Sequence, residues 1–168
     1  KNPADRPSRR VPRPLPQLRP MCVVCHLFSG RRRDGDVHYW LQVLGAAWGL
    51  EVLVLSVDPV ISAGGDLMLD SLFSTLRALA YRGWLDSTCG GAPCGTWSAS
   101  RFMPGGPRPV RDFDFPLGRP NLTKKERDKA LLDSELLLRA YDIMSGTLST
   151  GSAILKEHPG NRGCMPFP

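Results

Sequence analysis

Apolar positions along this chain fall into short unbroken runs separated by stretches of helical period, a pattern that predicts alternating strands and helices. Cys22-Val-Val-Cys-His-Leu-Phe28 is an apolar run ending in Ser29-Gly30, as a buried strand entering a turn does. Asp34 or Asp36 then stands at a helix-cap position. Val37, Trp40, Leu41, Leu44 and Trp48 follow on one helical face, and Gly49 closes the helix. Glu51-Val-Leu-Val-Leu-Ser-Val57 is a second buried strand, stopped by Asp58-Pro59. A loop with Gly64, Gly65 and Asp66 leads to a second helix over about 70–81, where Leu72, Leu76 and Leu79 recur at helical spacing. Residues 85–89 read as a third, weaker strand running into a Gly90-Gly91-Ala92-Pro93-Cys94 turn. After an irregular stretch over 102–122, Thr123 caps a long amphipathic helix to about Met144, its leucine-rich face expected in the core. Ser152-Ala-Ile-Leu-Lys156 is a last strand, ending at Glu157-His158-Pro159.

Buried strands alternating with helices imply an α/β fold, a mainly parallel sheet flanked by helices. Right-handed crossovers carry every strand-end turn to the same edge of such a sheet. Ser29-Gly30, Asp58, Asp66, Cys94 and Glu157 all follow strands, so they are expected to converge on one crevice. Within it, the Gly-Gly-Ala-Pro-Cys stretch suits a nucleophilic cysteine. Small residues admit a substrate close to the backbone, and Pro93 fixes φ just before the thiol.

Composition changes the picture at one end of the chain. The length of 168 residues suits a single domain, and 16 prolines with 17 glycines make it turn-rich. Of the formal charge of +6, residues 1–20 hold +5, from six basic side chains against Asp5. Six prolines and few bulky apolar residues in that stretch predict a disordered Pro/Arg-rich linker over 1–20, with the folded domain over 21–168. Such a linker touches nucleic acid electrostatically or simply keeps the chain soluble. No apolar stretch is long enough to span a bilayer, so no membrane partner is expected. Five cysteines without a secretory signal suggest reduced thiols and an intracellular protein, nuclear or cytoplasmic. Cys22-Val-Val-Cys25-His26 fits the haem-attachment spacing, yet its place in an apolar strand favours core cysteines. No further ligands stand at zinc-finger spacing, and no metal site is expected.

The ordered set Leu27-Phe28-Ser29-Gly30, Asp58, Gly65-Asp66, Pro93-Cys94 and Glu157 resembles the DNA cytosine-5-methyltransferases. The resemblance covers about residues 23–160 and implies a Rossmann-like, class I methyltransferase core that binds S-adenosylmethionine and acts on DNA. It implies that Phe28, Ser29, Gly30, Asp58, Asp66 and Pro93 hold the cofactor: Asp58 at the ribose hydroxyls, Asp66 at the adenine amino group, and Phe28 against the adenosine. Cys94 would be the nucleophile, and Glu157 would bind the edge of a cytosine that has left the helix stack. Several positions depart from the family's pattern. Arg31-Arg32-Arg33 replace its second loop glycine, Gly95 follows the nucleophile in place of glutamine, and His158-Pro159 follow Glu157 in place of Asn-Val. The family's Gln-x-Arg-x-Arg segment has no counterpart, so the domain reads as short at its C-terminal end. A catalytically inactive methyltransferase-like module binding nucleic acid or a protein is the alternative. It is favoured if Arg31–Arg33 block the cofactor pocket.

Overall fold

The computed structural model describes residues 21–157; the expected linker over 1–20 and the segment 158–168 lie outside the described residues. In chain order the elements are β1 (Met21–Leu27), α1 (Val37–Ala47), β2 (Glu51–Val57), α2 (Asp70–Tyr81), β3 (Ser87–Gly91), α3 (Lys124–Ser149) and β4 (Ala153–Glu157). Short 3-10 turns stand at Ala63–Gly65 and Ala99–Phe102. The four strands form one parallel sheet in the order β2-β1-β3-β4. The chain therefore starts near the centre, moves one way through α1, then crosses back over β1 through α2. That reversal opens a crevice at the C-terminal ends of β1 and β3, where open α/β sheets bind ligands. The fold is α/β and consistent with a Rossmann-like arrangement.

Two-residue alternation along the strands assigns the layers. Cys25, Leu27 and Val57 face α2 and α3 and join Leu67, Leu76, Ala80, Leu85, Ala140, Ile143 and Met144 in one buried cluster. Each fully buried Leu or Ile there contributes about 1.5–3 kcal/mol through removal from water. The opposite face carries α1, whose Gly45 lies against Val52 and whose His38 Nδ1 is 3.0 Å from the Ser56 hydroxyl.

Several elements differ from expectation. Asp36, not Asp34, caps α1, its Oδ1 accepting from the Tyr39 N–H at 2.8 Å. The apolar face of that helix is exposed, Trp40 at 49%, Leu44 at 55% and Trp48 at 81%. Gly90 and Gly91 are not a turn but the last residues of β3, paired with Leu27 and Glu157. The helix α3 runs on to Ser149, and only part of its leucine set faces the core: Leu136 packs against the buried cluster, while Leu131, Leu132 and Leu138 are exposed. Ile143 and Met144 share the buried face with small residues. Ala130, Ala140 and Gly146 are buried, and a Cβ on Gly146 would meet the Tyr81 ring at 2.6 Å, so α2 and α3 pack closely there.

Candidate active site

A cavity of about 360 Å3 lies at the crevice, lined by Phe28, Asp58, Asp66, Pro93, Cys94 and Glu157 together with Gly65, Leu67 and Leu136. Six expected site residues, drawn from five separate points of the chain, thus share one wall. The cavity falls within the ~300–1,000 Å3 of small-molecule sites.

Local backbone geometry explains how each residue arrives. Phe28 follows β1 at φ 55, a left-handed conformation rare for a bulky side chain, and its N–H donates to the Val57 carbonyl at 2.8 Å. Gly30 follows at φ 69, and its N–H donates to Asp58 Oδ2 at 2.9 Å. Asp58 Oδ1 accepts from the Val60 N–H at 2.8 Å. This carboxylate thus ties the loop after β1 to the turn after β2 while facing the cavity. Asp66 Oδ1 similarly accepts from the Met68 N–H at 2.9 Å. Gly65 has to be glycine, because a Cβ there would run into the Asp58 backbone. Glu157 ends β4 across from Gly91, with Oε2 about 3.3 Å from where a Gly91 Cβ would stand. Cys94 is exposed, three residues beyond the end of β3.

Ser29 goes elsewhere. It lines an adjoining cavity of about 280 Å3 on the α1 side of the sheet, with His26, Arg33, Asp36, Cys89 and Leu155. Phe28, Gly91 and Glu157 line both cavities. Ser29 Oγ and His26 Nδ1 are buried there without a hydrogen-bond partner. Burial lowers the His26 pKa, disfavouring the charged ring. Of the three consecutive arginines only Arg33 lines this second cavity, and none lines the first. Arg32 turns to Asp36 at 3.0 Å, and no atom stands within 4 Å of where a Gly30 Cβ would lie.

The apolar pattern does not reveal what holds the loop after Cys94. Arg111 is 1% exposed, its guanidinium 3.9 Å from the centre of the Trp97 ring. It donates to the Thr96 hydroxyl at 3.2 Å, the Pro116 carbonyl at 2.6 Å, the Ser134 hydroxyl at 3.0 Å and the Ala130 carbonyl. Burial pulls its pKa down, against the pull of Asp133. The Thr96 hydroxyl in turn donates to Asp133, itself 1% exposed, at 2.7 Å. One signal was available: Asp133 is three residues from Ala130 and seven from Ala140, on the face α3 buries, and a buried acid needs a partner. Arg101 adds a second tie, donating to the carbonyls of Gly95 and Arg108.

Among the described residues, four cysteines (Cys22, Cys25, Cys89 and Cys94) are free thiols, and no group of three or more acidic, His or Cys side chains is placed to hold a metal. Burial pushes Cys25 up to about 12 and also raises Cys89, which disfavours the thiolate form at both. No described helix is long and apolar enough to cross a membrane. No family model, curated protein or solved structure matches the chain.

Proposed function

We propose that the chain transfers a methyl group from S-adenosylmethionine to C5 of cytosine in DNA, through a covalent bond to Cys94. The observation that carries this reading is the meeting of Phe28, Asp58, Asp66, Pro93, Cys94 and Glu157 on one cavity at the sheet's reversal point. The residues suit the cofactor. Asp58 accepts from ribose hydroxyls, Asp66 from an adenine amino group, and the Phe28 ring supplies a flat apolar wall. In the adjoining cavity, Ser29 and the N-terminal turn of α1 suit the cofactor's amino-acid end. When bound, the cofactor supplies an electrophilic methyl group.

The chain's own residues do the rest. Cytosine C5 is a poor nucleophile. Addition of the Cys94 thiolate to C6 raises electron density at C5, which would take the methyl group as its bond to the sulfonium sulfur breaks; loss of the C5 proton to water with cleavage of the C6–S bond then frees the thiolate. Glu157 holds the N3/N4 edge of the base and steadies the activated ring. Pro93 restricts the turn that presents the thiol. The base has to leave the duplex stack to reach this wall.

An inactive binding module is the competing reading. Arg31–Arg33 stand clear of the first cavity and only Arg33 borders the adjoining one, which favours the active reading. DNA carrying 5-fluorocytosine tests it, because fluorine at C5 blocks the elimination. With S-adenosylmethionine present, the intact protein should form a denaturant-stable adduct that is lost in Cys94→Ser and reduced at least tenfold in Glu157→Gln. A folded protein that forms no adduct on a set of duplexes covering varied sequence contexts contradicts the reading.

A further inference from the structure

The buried polar chain beside Cys94 ends on a cation. Lys129 Nζ lies 3.1 Å and 3.3 Å from the two oxygens of Asp133, and 3.6 Å from where a Gly95 Cβ would stand. Asp133 is fixed by the Thr96 hydroxyl, and Thr96 by Arg111. Arg111 also spans the Pro116 and Ala130 carbonyls, so it binds the irregular segment to α3. We propose that Arg111 is a positioning residue that, through Thr96 and Asp133, holds the Lys129 ammonium against the Cys94-Gly95 turn and makes the approach to the thiol selective for anions.

The physical argument follows the burial. A long lysine side chain on a helix surface ordinarily samples many rotamers, and an exposed ion pair restrains it weakly. Here Lys129 is half-exposed, but its carboxylate partner is buried and held by a second hydrogen bond. Asp133 cannot follow the lysine into solvent, so the ammonium stays beside the turn. Burying Arg111 is costly unless its donors are met, and four acceptors with a stacked indole meet them. The surrounding segment deepens the effect: residues 95–129 carry eight basic against four acidic side chains. An anion of the phosphate kind carried by a nucleotide chain is the ligand this arrangement suits. The placement rests on geometry; its value for catalysis rests on the methyl-transfer reading above.

The test is the ratio of Cys94 alkylation rates by iodoacetate and by iodoacetamide, read on the Cys94 peptide by mass spectrometry. Both reagents consume the same thiolate, so the ratio reports local charge independently of how much thiolate is present. Lys129→Gln should lower the ratio about 2–3-fold at low salt, as expected for loss of one unit charge beside the turn. Thr96→Val should lower it by a similar factor, and Thr96→Val combined with Lys129→Gln no further than Lys129→Gln alone; Arg111→Met, which also removes a charge of its own, should lower it at least as much. The differences should collapse in 1 M salt. An unchanged ratio in Lys129→Gln overturns the proposal, as does a fall in Lys129→Gln with none in Thr96→Val. If Arg111→Met does not fold, Thr96→Val decides, since it leaves the other Arg111 bonds in place. The assay uses neither cofactor nor DNA, so its failure is distinct from failure of the fluorocytosine trap.

Discussion

Gly90 illustrates how closely the backbone is drawn in behind the site. Its φ of 151 disfavours L side chains, and a Cβ there would collide with the Leu27 carbonyl on the neighbouring strand. Gly90→Ala should therefore cost roughly 1–3 kcal/mol, lowering the melting temperature by ~3–10 °C in a thermal melt. A melt unchanged within a degree would mean that β1 and β3 tolerate separation at the crevice. Phe28, one residue beyond that contact, holds a left-handed backbone where the two cavities meet. Strain of this kind persists only where the surroundings impose it, here by the Val57 carbonyl that accepts its N–H.

Among the elements, α3 has the strongest start signal. Thr123 accepts from the Glu126 N–H while the Glu126 carboxylate accepts from the Thr123 N–H at 2.8 Å, a reciprocal capping box. The Thr123 N–H, then its hydroxyl, hold the Glu126 carboxyl below the ordinary range. A lowered folded pKa means stabilisation that is complete above the unfolded value and lost as pH falls through the folded one. Glu126→Gln keeps the box geometry without titrating. Melting temperature should therefore fall more steeply below about pH 4 in the wild type than in the variant. Parallel slopes for the two proteins would refute that linkage.

The same helix explains what could be read in advance and what could not. Its cap and its start at 124 were legible from Thr123 and Glu126, as α2 was from Leu72, Leu76 and Leu79. Its buried face was not. Leucines signal a core only when volume is available, and close packing against α2 favours Ala140 and Gly146 while Leu138 turns outward. The shift of β3 to Ser87–Gly91 escaped for a related reason. Glycine has no strand preference of its own, and pairing on both sides with β1 and β4 overrides that.

At the scale of the whole molecule, the strand order does the assembling. Residues as far apart as Phe28 and Glu157 meet because parallel strands with right-handed crossovers end on one edge, and the reversal at β1 leaves that edge open. That convergence was legible from the order of strand ends alone. The separate placement of Ser29, facing the α1 side of the sheet, was not, because it depends on the turn Phe28 makes at positive φ. Nor was the hold of Arg111 on the loop after Cys94, which joins residues far apart in the chain.

As proposed, S-adenosylmethionine binds in the cavity beside Asp58 and Asp66. Calorimetric titration of the intact chain with that cofactor measures it most directly, alongside Asp66→Ala, which removes a cavity carboxylate without disturbing the Gly30 tie. Saturable binding to one site is expected in the wild type, weakened at least tenfold in the variant. Absence of binding by the folded wild type, or equal binding by Asp66→Ala, would contradict it.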